Sequence, residues 1–381
     1  MDFETLVVQG IPPEDNALHA VVPPIYLTTT FAQKSLEEFG EYQYTRGANP
    51  TRTALEKLVA KIEGSEFAFA FATGMSATAA FFSLFKTGDK ILLNSNVYGG
   101  TYAYVKKTFP KYGIDYALID DLNTLTESDL TDNVRGIFIE TPSNPLLRVT
   151  DIRKISALAH KKGILVGIDN TFLTPYYQSC LALGADVGIY SATKYFSGHA
   201  DVTAGLITTD RADLAEELRF ELINQGAVLS PFDCYSLIRG IKTLSVRFDK
   251  QTENTIGILE LLKTHPGVSK LYYAGSYSEE EKKIQESQAR GIGAVISFDL
   301  AEGYCPNEFV KALKIFELAP SLGGVESLIE HVASMSHRSF SPEERAALGI
   351  VDSQLRLAIG IESLKDLTED LEQAFEKAKK S

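Results

Sequence analysis

The sequence predicts an α/β protein: a large, mainly parallel seven-stranded sheet domain followed by a smaller C-terminal α+β domain. Three observations carry that reading. Seven short apolar runs follow one another between residues 67 and 208. Most are separated by enough chain for a helix, and strands alternating with helices imply a parallel sheet covered on both faces. Beyond about residue 230 the alternation gives way to a mixture of helices and isolated strands. A chain of 381 residues also has the length for roughly two domains.

Residues 1–45 show no clear period. They hold Pro12-Pro13, Pro23-Pro24 and the β-branched run Thr28-Thr29-Thr30, which reads as an extended arm. An arm with Tyr26, Phe31 and Tyr42 and no core of its own is expected to lie on the body of the chain or on a neighbouring subunit. Asn49 then caps a helix with Pro50 at its first position. Leu55, Leu58, Val59 and Ile62 follow at helical spacing, and Gly64 ends the run. The expected strands are Phe67–Ala72, Lys90–Leu93, Tyr116–Ile119, Gly136–Glu140, Ile164–Asp169, Val187–Tyr190 and Ala204–Thr208. Helices are expected over Gly74–Phe85, Asp151–Lys162 and Arg211–Leu222. These place a cofactor domain at 46–230 and a second domain at 231–381.

In that second part a helix over Thr255–Thr264 stops at His265-Pro266-Gly267. A strand at Ala294–Asp299, a helix near Asn307–Phe316 and a strand at Gln354–Ile359 follow. The terminal helix shows Leu364, Leu367, Leu371 and Phe375 on one face, with Ser363 and Asp366 as a capping box. The charged stretch Glu279–Lys283 reads as solvated surface.

Composition narrows the function class without naming it. Lys and Arg number 37 against 50 Asp and Glu, a formal charge of −13. That balance argues against nucleic-acid or anionic-membrane partners, which select a basic footprint. No apolar run reaches the roughly 18 residues that span a bilayer. The N-terminus carries acids where a secretory signal would carry Lys or Arg, so a cytoplasmic protein is expected. Cys180, Cys234 and Cys305 are scattered, form no metal clip and read as buried thiols. His199, His331 and His337 do not pair at helical spacing, so no metal site is expected.

Ligands of open α/β sheets collect beyond the C-terminal strand ends. There the sequence places Thr73-Gly74-Met75-Ser76, Glu140-Thr141-Pro142-Ser143-Asn144-Pro145, Asp169-Asn170-Thr171 and Ser191-Ala192-Thr193-Lys194. A glycine at a helix start bares backbone N–H groups to an anion. One acid, one lysine, two hydroxyls and an anion-binding turn thus share one edge. Pyridoxal phosphate (PLP) fits best, since it needs a lysine amine, a carboxylate for its ring nitrogen and donors for its phosphate. There is no P-loop, and Gly291-Ile292-Gly293 lacks the third glycine of a dinucleotide fingerprint.

These blocks resemble the Cys/Met-metabolism PLP-dependent enzymes, the group of cystathionine γ-lyases, β-lyases, γ-synthases and methionine γ-lyases. Tyr44-Thr45-Arg46 with Asn49-Pro50-Thr51, Tyr98-Gly99-Gly100-Thr101, Gly198-His199-Ala200-Asp201, Ser321–Ser327 and Leu355-Arg356-Leu357 extend the resemblance over essentially the whole chain. It implies the type I PLP-dependent transferase fold, like aspartate aminotransferase. It also implies the roles. Lys194 is the Schiff-base lysine and proton shuttle, Asp169 the partner of the ring nitrogen, and Tyr98 the residue that stacks on the ring and helps with proton transfer. Gly74, Met75, Ser191 and Thr193 are implied to hold the phosphate, and Asn144 to lie near the phenolic oxygen. Arg356 is implied to clamp the substrate α-carboxylate, and Ser321 to hold the Lys194 region or the substrate. Tyr44 and Arg46 are implied to reach the partner subunit's phosphate site, in a dimer that shares active sites and pairs into a tetramer.

The implied activity is a carbon–sulfur lyase acting on an amino-acid substrate. Cystathionine γ-lyase is preferred, splitting cystathionine into cysteine, 2-oxobutyrate and ammonia, with β-lyase and cysteine desulfhydrase side activity. A β-lyase, a γ-synthase and, in another class, an inactive PLP-binding regulator stay open. Gly100 stands where methionine γ-lyases place a cysteine. Pro320 stands where some γ-lyases carry an acid and synthases an apolar residue.

Overall fold

The computed structural model describes residues 1–12, 18–338 and 340–379. Residues 13–17, which include Pro13 of the first proline pair, lie outside the described residues. The first element corrects the expectation of an arm extended from its first residue. Helix α1 (Phe3–Gln9) buries Val7 in the main core. Seven residues cannot hold a helix alone in water; docking on the body does. The Phe3 ring packs on Tyr176 with centroids 4.7 Å apart, and Lys61 Nζ donates to the Gly10 carbonyl at 2.7 Å. The following segment matches the arm in character, with Val21, Leu27, Leu36, Phe39 and Tyr44 exposed.

Helix α2 (Pro50–Glu63) begins where its signals stand: Asn49 Oδ1 accepts from the Thr51 N–H at 2.9 Å, and Gly64 closes it at φ 78°. All seven apolar runs then form strands of one sheet. They are β1 (Phe67–Phe71), β2 (Lys90–Asn94), β3 (Asp115–Ile119), β4 (Val134–Glu140), β5 (Leu165–Asp169), β6 (Val187–Ser191) and β7 (Gly205–Thr209), in the order β1-β7-β6-β5-β4-β2-β3. β7 runs antiparallel to β1 and β6, and the other pairs are parallel. Between them lie α3 (Gly74–Phe82), α4 (Gly99–Tyr112), α5 (Ile152–His160) and α6 (Thr174–Tyr177), with α7 (Ala212–Gln225) after β7.

Alternation along each strand splits the apolar side chains between two faces. Ala68, Leu92, Ile137, Val166 and Leu206 enter one core, while Phe69, Ile91, Phe138, Ile189 and Ile207 enter the other. Helices cover both faces, so every register pair at the strand tips is held from above and below.

Helices α8 (Pro231–Ile241) and α9 (Leu244–Thr264) follow. Both carry chain beyond residue 230 back into the first core: Leu237, Ile241, Leu244 and Phe248 pack there, whereas Ile258 and Leu262 of α9 pack in a third core. That third core lies against a second sheet of order β10-β11-β12-β9-β8. Its elements in chain order are β8 (Val268–Tyr272), α10 (Glu279–Gln288), β9 (Val295–Leu300), α11 (Pro306–Ala312), β10 (Glu317–Leu318), β11 (Leu328–His331), α12 (Pro342–Ala347), β12 (Gln354–Ala358) and α13 (Leu364–Ala378).

Two local expectations are corrected here. Glu279–Lys283 is not simply solvated: it opens α10, where Glu281 is buried and accepts from Arg148 Nε at 2.6 Å. Ser363 stands at the N-cap of α13 without a side-chain cap bond. The preceding Glu362 is engaged elsewhere, accepting from the Ser327 N–H at 2.6 Å.

Candidate active site

A cavity of about 870 Å³ opens beyond the C-terminal tips of β1, β4, β5 and β6 and is closed on its far side by residues around β11 and β12. Gly74, Met75, Tyr98, Asn144, Asp169, Ser191, Thr193, Lys194, Ser321 and Arg356 all line it. The chain brings together these residues from segments hundreds of positions apart because the sheet aligns their strand ends.

The turn after β1 is built for close approach. Thr73 caps α3 through a reciprocal capping box with Ser76, which leaves the N–H groups of Gly74 and Met75 at the helix start. A Cβ on Gly74 would stand 2.8 Å from Ser191 Cβ and 2.9 Å from its Oγ, so only glycine lets the Ser191 hydroxyl and the helix start meet. Thr193 Oγ1 is fixed by the Ala204 N–H at 2.9 Å. The result is a cradle of hydroxyls and backbone donors suited to an anion.

Asp169 ends β5, directly in register with Glu140 at the end of β4. Its Oδ1 accepts from Thr171 Oγ1 at 2.6 Å and from the Thr171 N–H at 3.1 Å, and Thr171 Oγ1 in turn accepts from the Ser191 N–H at 2.8 Å. Oδ2 carries no hydrogen bond among the described residues and is free to meet a ligand. Burial pushes the Asp169 carboxyl up against these donors. Glu140 is pushed well above its ordinary value, first by burial and then by the charge of Asp169. Glu140 also sets the neighbouring loops: its oxygens accept from the Tyr98 N–H at 2.7 Å and the Asn144 N–H at 2.9 Å. Tyr98 starts α4 half exposed, and its ring lies over Gly100, where a Cβ would come within 2.5 Å of it.

Lys194 Nζ donates to Ser321 Oγ at 2.8 Å. Burial lowers its amine to about 8, with the Arg356 charge acting the same way. Ser321 has φ 106°, a left-handed conformation costly for a residue with a Cβ. It is held there from two sides, by Lys194 and by Arg356 Nη2, which donates to the Ser321 carbonyl at 2.8 Å. Arg356 is nearly fully buried. Its Nη1 meets Asn144 Oδ1 at 2.9 Å and Glu330 Oε1 at 3.1 Å, while its Nε has no partner among the described residues. One edge of the guanidinium is therefore anchored, and one buried donor is left over.

Tyr44 and Arg46 are not brought into this cavity. Tyr44 is exposed, and Arg46 Nη1 donates to the Ile223 carbonyl of its own chain at 2.8 Å.

A family profile described as Cys/Met metabolism PLP-dependent enzyme matches residues 4–376. The chain belongs to that family. A cystathionine beta-lyase of Lactococcus lactis subsp. cremoris (strain MG1363) is 45% identical over 377 residues, covering 98% of this chain and 99% of that protein. A cystathionine gamma-lyase of Bacillus subtilis (strain 168) is 43% identical, covering 99% and 100%. Among solved structures, cystathionine gamma-lyase from Lactobacillus plantarum complexed with L-serine superposes with a TM-score of 0.96 at 40% identity, over 99% of each chain. Cystathionine gamma synthase from Xanthomonas oryzae pv. oryzae, in complex with aminoacrylate and cysteine, gives 0.95 at 38% identity, over 99% of this chain and 98% of the other.

As a member of the Cys/Met-metabolism PLP-dependent enzymes, the chain depends on PLP. The donor cradle at Gly74, the free oxygen of Asp169 and the desolvated Lys194 amine fit such a group in charge and chemistry. Sequence reading quoted Glu140 without a role and passed over Glu330. The register of Glu140 beside Asp169 was a usable signal. Glu330 gave none, being one acid in a short strand whose inward face only the fold reveals. No helix among the described residues is long and apolar enough to cross a membrane.

Proposed function

We propose that this chain is a PLP-dependent carbon–sulfur lyase that cleaves cystathionine, with γ-elimination to cysteine, 2-oxobutyrate and ammonia as its main reaction. One observation carries the reading: a lysine amine lowered to about 8, within 2.8 Å of Ser321 Oγ, shares a cavity with a carboxylate oxygen and a buried guanidinium donor that are both unengaged. When bound, PLP supplies the electron sink that stabilises negative charge at the substrate Cα. Gly74, Met75, Ser191 and Thr193 would hold its phosphate, Asp169 Oδ2 its ring nitrogen, and Lys194 Nζ its reactive carbon. Tyr98 would cover its ring face and Asn144 lie near its phenolic oxygen.

The chain's own groups then do the rest. The unengaged, buried Nε of Arg356 would receive the substrate α-carboxylate, since Nη1 is tied to Asn144 and Glu330 and Nη2 to the Ser321 carbonyl. Lys194, partly neutral near pH 8, takes the Cα proton and, for γ-elimination, must give that proton up before it can take the second one from Cβ. Ser321 orients that amine. Tyr44 and Arg46 serve the cavity of a partner copy, which accounts for an arm with exposed apolar side chains and for an Arg46 outside its own site. The assembly is a dimer with shared sites, paired into a tetramer, working in the cytoplasm.

The deciding experiment identifies the 2-oxo acid formed from cystathionine. 2-Oxobutyrate supports the γ-lyase. Pyruvate would establish the β-lyase, a reading favoured by the Lactococcus relative at 45% identity. If no oxo acid forms and cystathionine is instead made from cysteine and an acylated homoserine, the synthase reading replaces both.

A further inference from the structure

We propose that Arg338 is a second carboxylate-binding residue of this cavity, holding the distal amino-acid head of cystathionine. The inference rests on the cystathionine reading above and names how the remote half of that substrate is selected.

Among the described residues, the cations lining the cavity are Lys194, Arg338 and Arg356. Two are engaged: Lys194 with Ser321, and Arg356 with Asn144, Ser321 and Glu330. The backbone N–H of Arg338 donates to the Met335 carbonyl at 3.3 Å, but its guanidinium makes no hydrogen bond or ion pair with any described residue. None of the acids of the cavity is bonded to it: each is engaged by other groups, although Asp169 keeps its Oδ2 open. Glu140 takes the N–H groups of Tyr98 and Asn144, Asp169 takes Thr171, and Glu330 takes Arg356 and Ser336.

The base of Arg338 is nevertheless fixed. His337 beside it is buried, and its N–H donates to the Val332 carbonyl at 3.0 Å. Ser336 Oγ donates to Glu330 Oε1 at 2.6 Å, the same oxygen that pairs with Arg356. Phe340 stacks on Tyr102 of α4 with centroids 4.3 Å apart. The turn is thus tied both to the Arg356 support and to the helix that starts at Tyr98, while Arg338 lines the cavity as an exposed residue with an unpaired guanidinium. Cystathionine carries two α-carboxylates joined by an apolar thioether. Arg356 can serve one. Met335, on the wall beside Arg338, offers a soft apolar surface for the thioether, and an unpaired guanidinium suits the second carboxylate bidentately.

The test compares the wild-type holoenzyme with Arg338→Met and Arg338→Lys on two compounds. L-Cystathionine is one; S-ethyl-L-homocysteine keeps the thioether and lacks the distal amino-acid head. The ratio of their kcat/KM values, cystathionine over the ethyl compound, should fall about tenfold in Arg338→Met through KM, and less in Arg338→Lys; where turnover is slow, the same ratio of inhibition constants should rise by that factor. Cofactor absorbance after dialysis is read alongside. An unchanged ratio, or loss of bound cofactor that would assign Arg338 to the phosphate, overturns the proposal while leaving the lyase reading intact. A wild-type enzyme that neither cleaves nor is inhibited by cystathionine overturns both.

Discussion

At the tips of β1, β5 and β6, polar side chains are half-buried and held by their own chain: Thr73 by Ser76, Asp169 by Thr171, Lys194 by Ser321. Between residues 20 and 46 the pattern reverses, with apolar Val21, Leu27, Leu36 and Phe39 standing in solvent and Arg46 resting on a carbonyl of α7. Both regions hold residues of the expected site. The first is organised before any ligand arrives, because helices on two faces fix the strand ends. The second has no core to fix it and presents a surface that a second copy would cover. Under the proposed assembly, most of the site would belong to one chain and its rim to two.

Breaking the preorganised half should give the largest effect. Lys194→Ala is expected to lower cystathionine cleavage by roughly a thousandfold or more, since it removes the proposed covalent anchor and proton shuttle. The purified variant should lack the absorbance of the lysine-bound cofactor. A variant with near-normal turnover would remove Lys194 from the reaction. The arm comes next. Arg46→Ala should weaken cofactor binding by about tenfold, measured by dialysis and reconstitution. Mixing it with Lys194→Ala should restore activity to about a quarter of wild type, the statistical share of sites with both residues intact in a two-fold dimer. No recovery on mixing would place Arg46 in its own chain's site.

A third prediction sharpens how the lysine is tuned. The ordinary value of a lysine amine is 10.5, and burial brings Lys194 to about 8. The neutral amine therefore becomes the main form above pH 8 rather than two or more units higher. Recombination of cofactor-free protein with PLP, followed by absorbance, should accelerate as pH rises toward 8 and level off above it. A rate still climbing steeply at pH 9.5 would mean that the amine is not desolvated.

Which parts were legible in the sequence follows the same division. The seven strands were readable because buried parallel strands are continuous apolar runs, and α2 because Asn49, Pro50 and Gly64 mark both ends. The strand-tip residues were readable because such tips collect ligands. What stayed hidden depends on long-range partners. α1 is too short to announce itself and exists by packing on Tyr176. Glu281 looks like any surface acid until Arg148 is seen across from it. Glu330 and Arg338 acquire meaning only when β11 is folded against Arg356.

The smallest expected effect lies beneath the preorganised region. Glu63, at the end of α2, points its carboxyl at the Tyr190 hydroxyl of β6, and its Oε1 accepts from Ser179 Oγ at 3.1 Å. Burial raises it from 4.5 to about 7, despite those donors. The folded state therefore holds a proton that the unfolded chain has released between about pH 4.5 and 7. The associated stability is complete below pH 4.5 and is lost as pH rises through 7, with a total on the order of 1–3 kcal/mol. Glu63→Gln keeps an acceptor for Ser179 and cannot ionise. Denaturant titrations at pH 5 and pH 8 should then show a smaller stability difference for Glu63→Gln than for wild type, because the remaining acids titrate equally in both. An equal difference in the two proteins would show that Glu63 is charged throughout. Its donors would then offset burial, and the core under the strand tips would tolerate a charge that the arm has no means to hold.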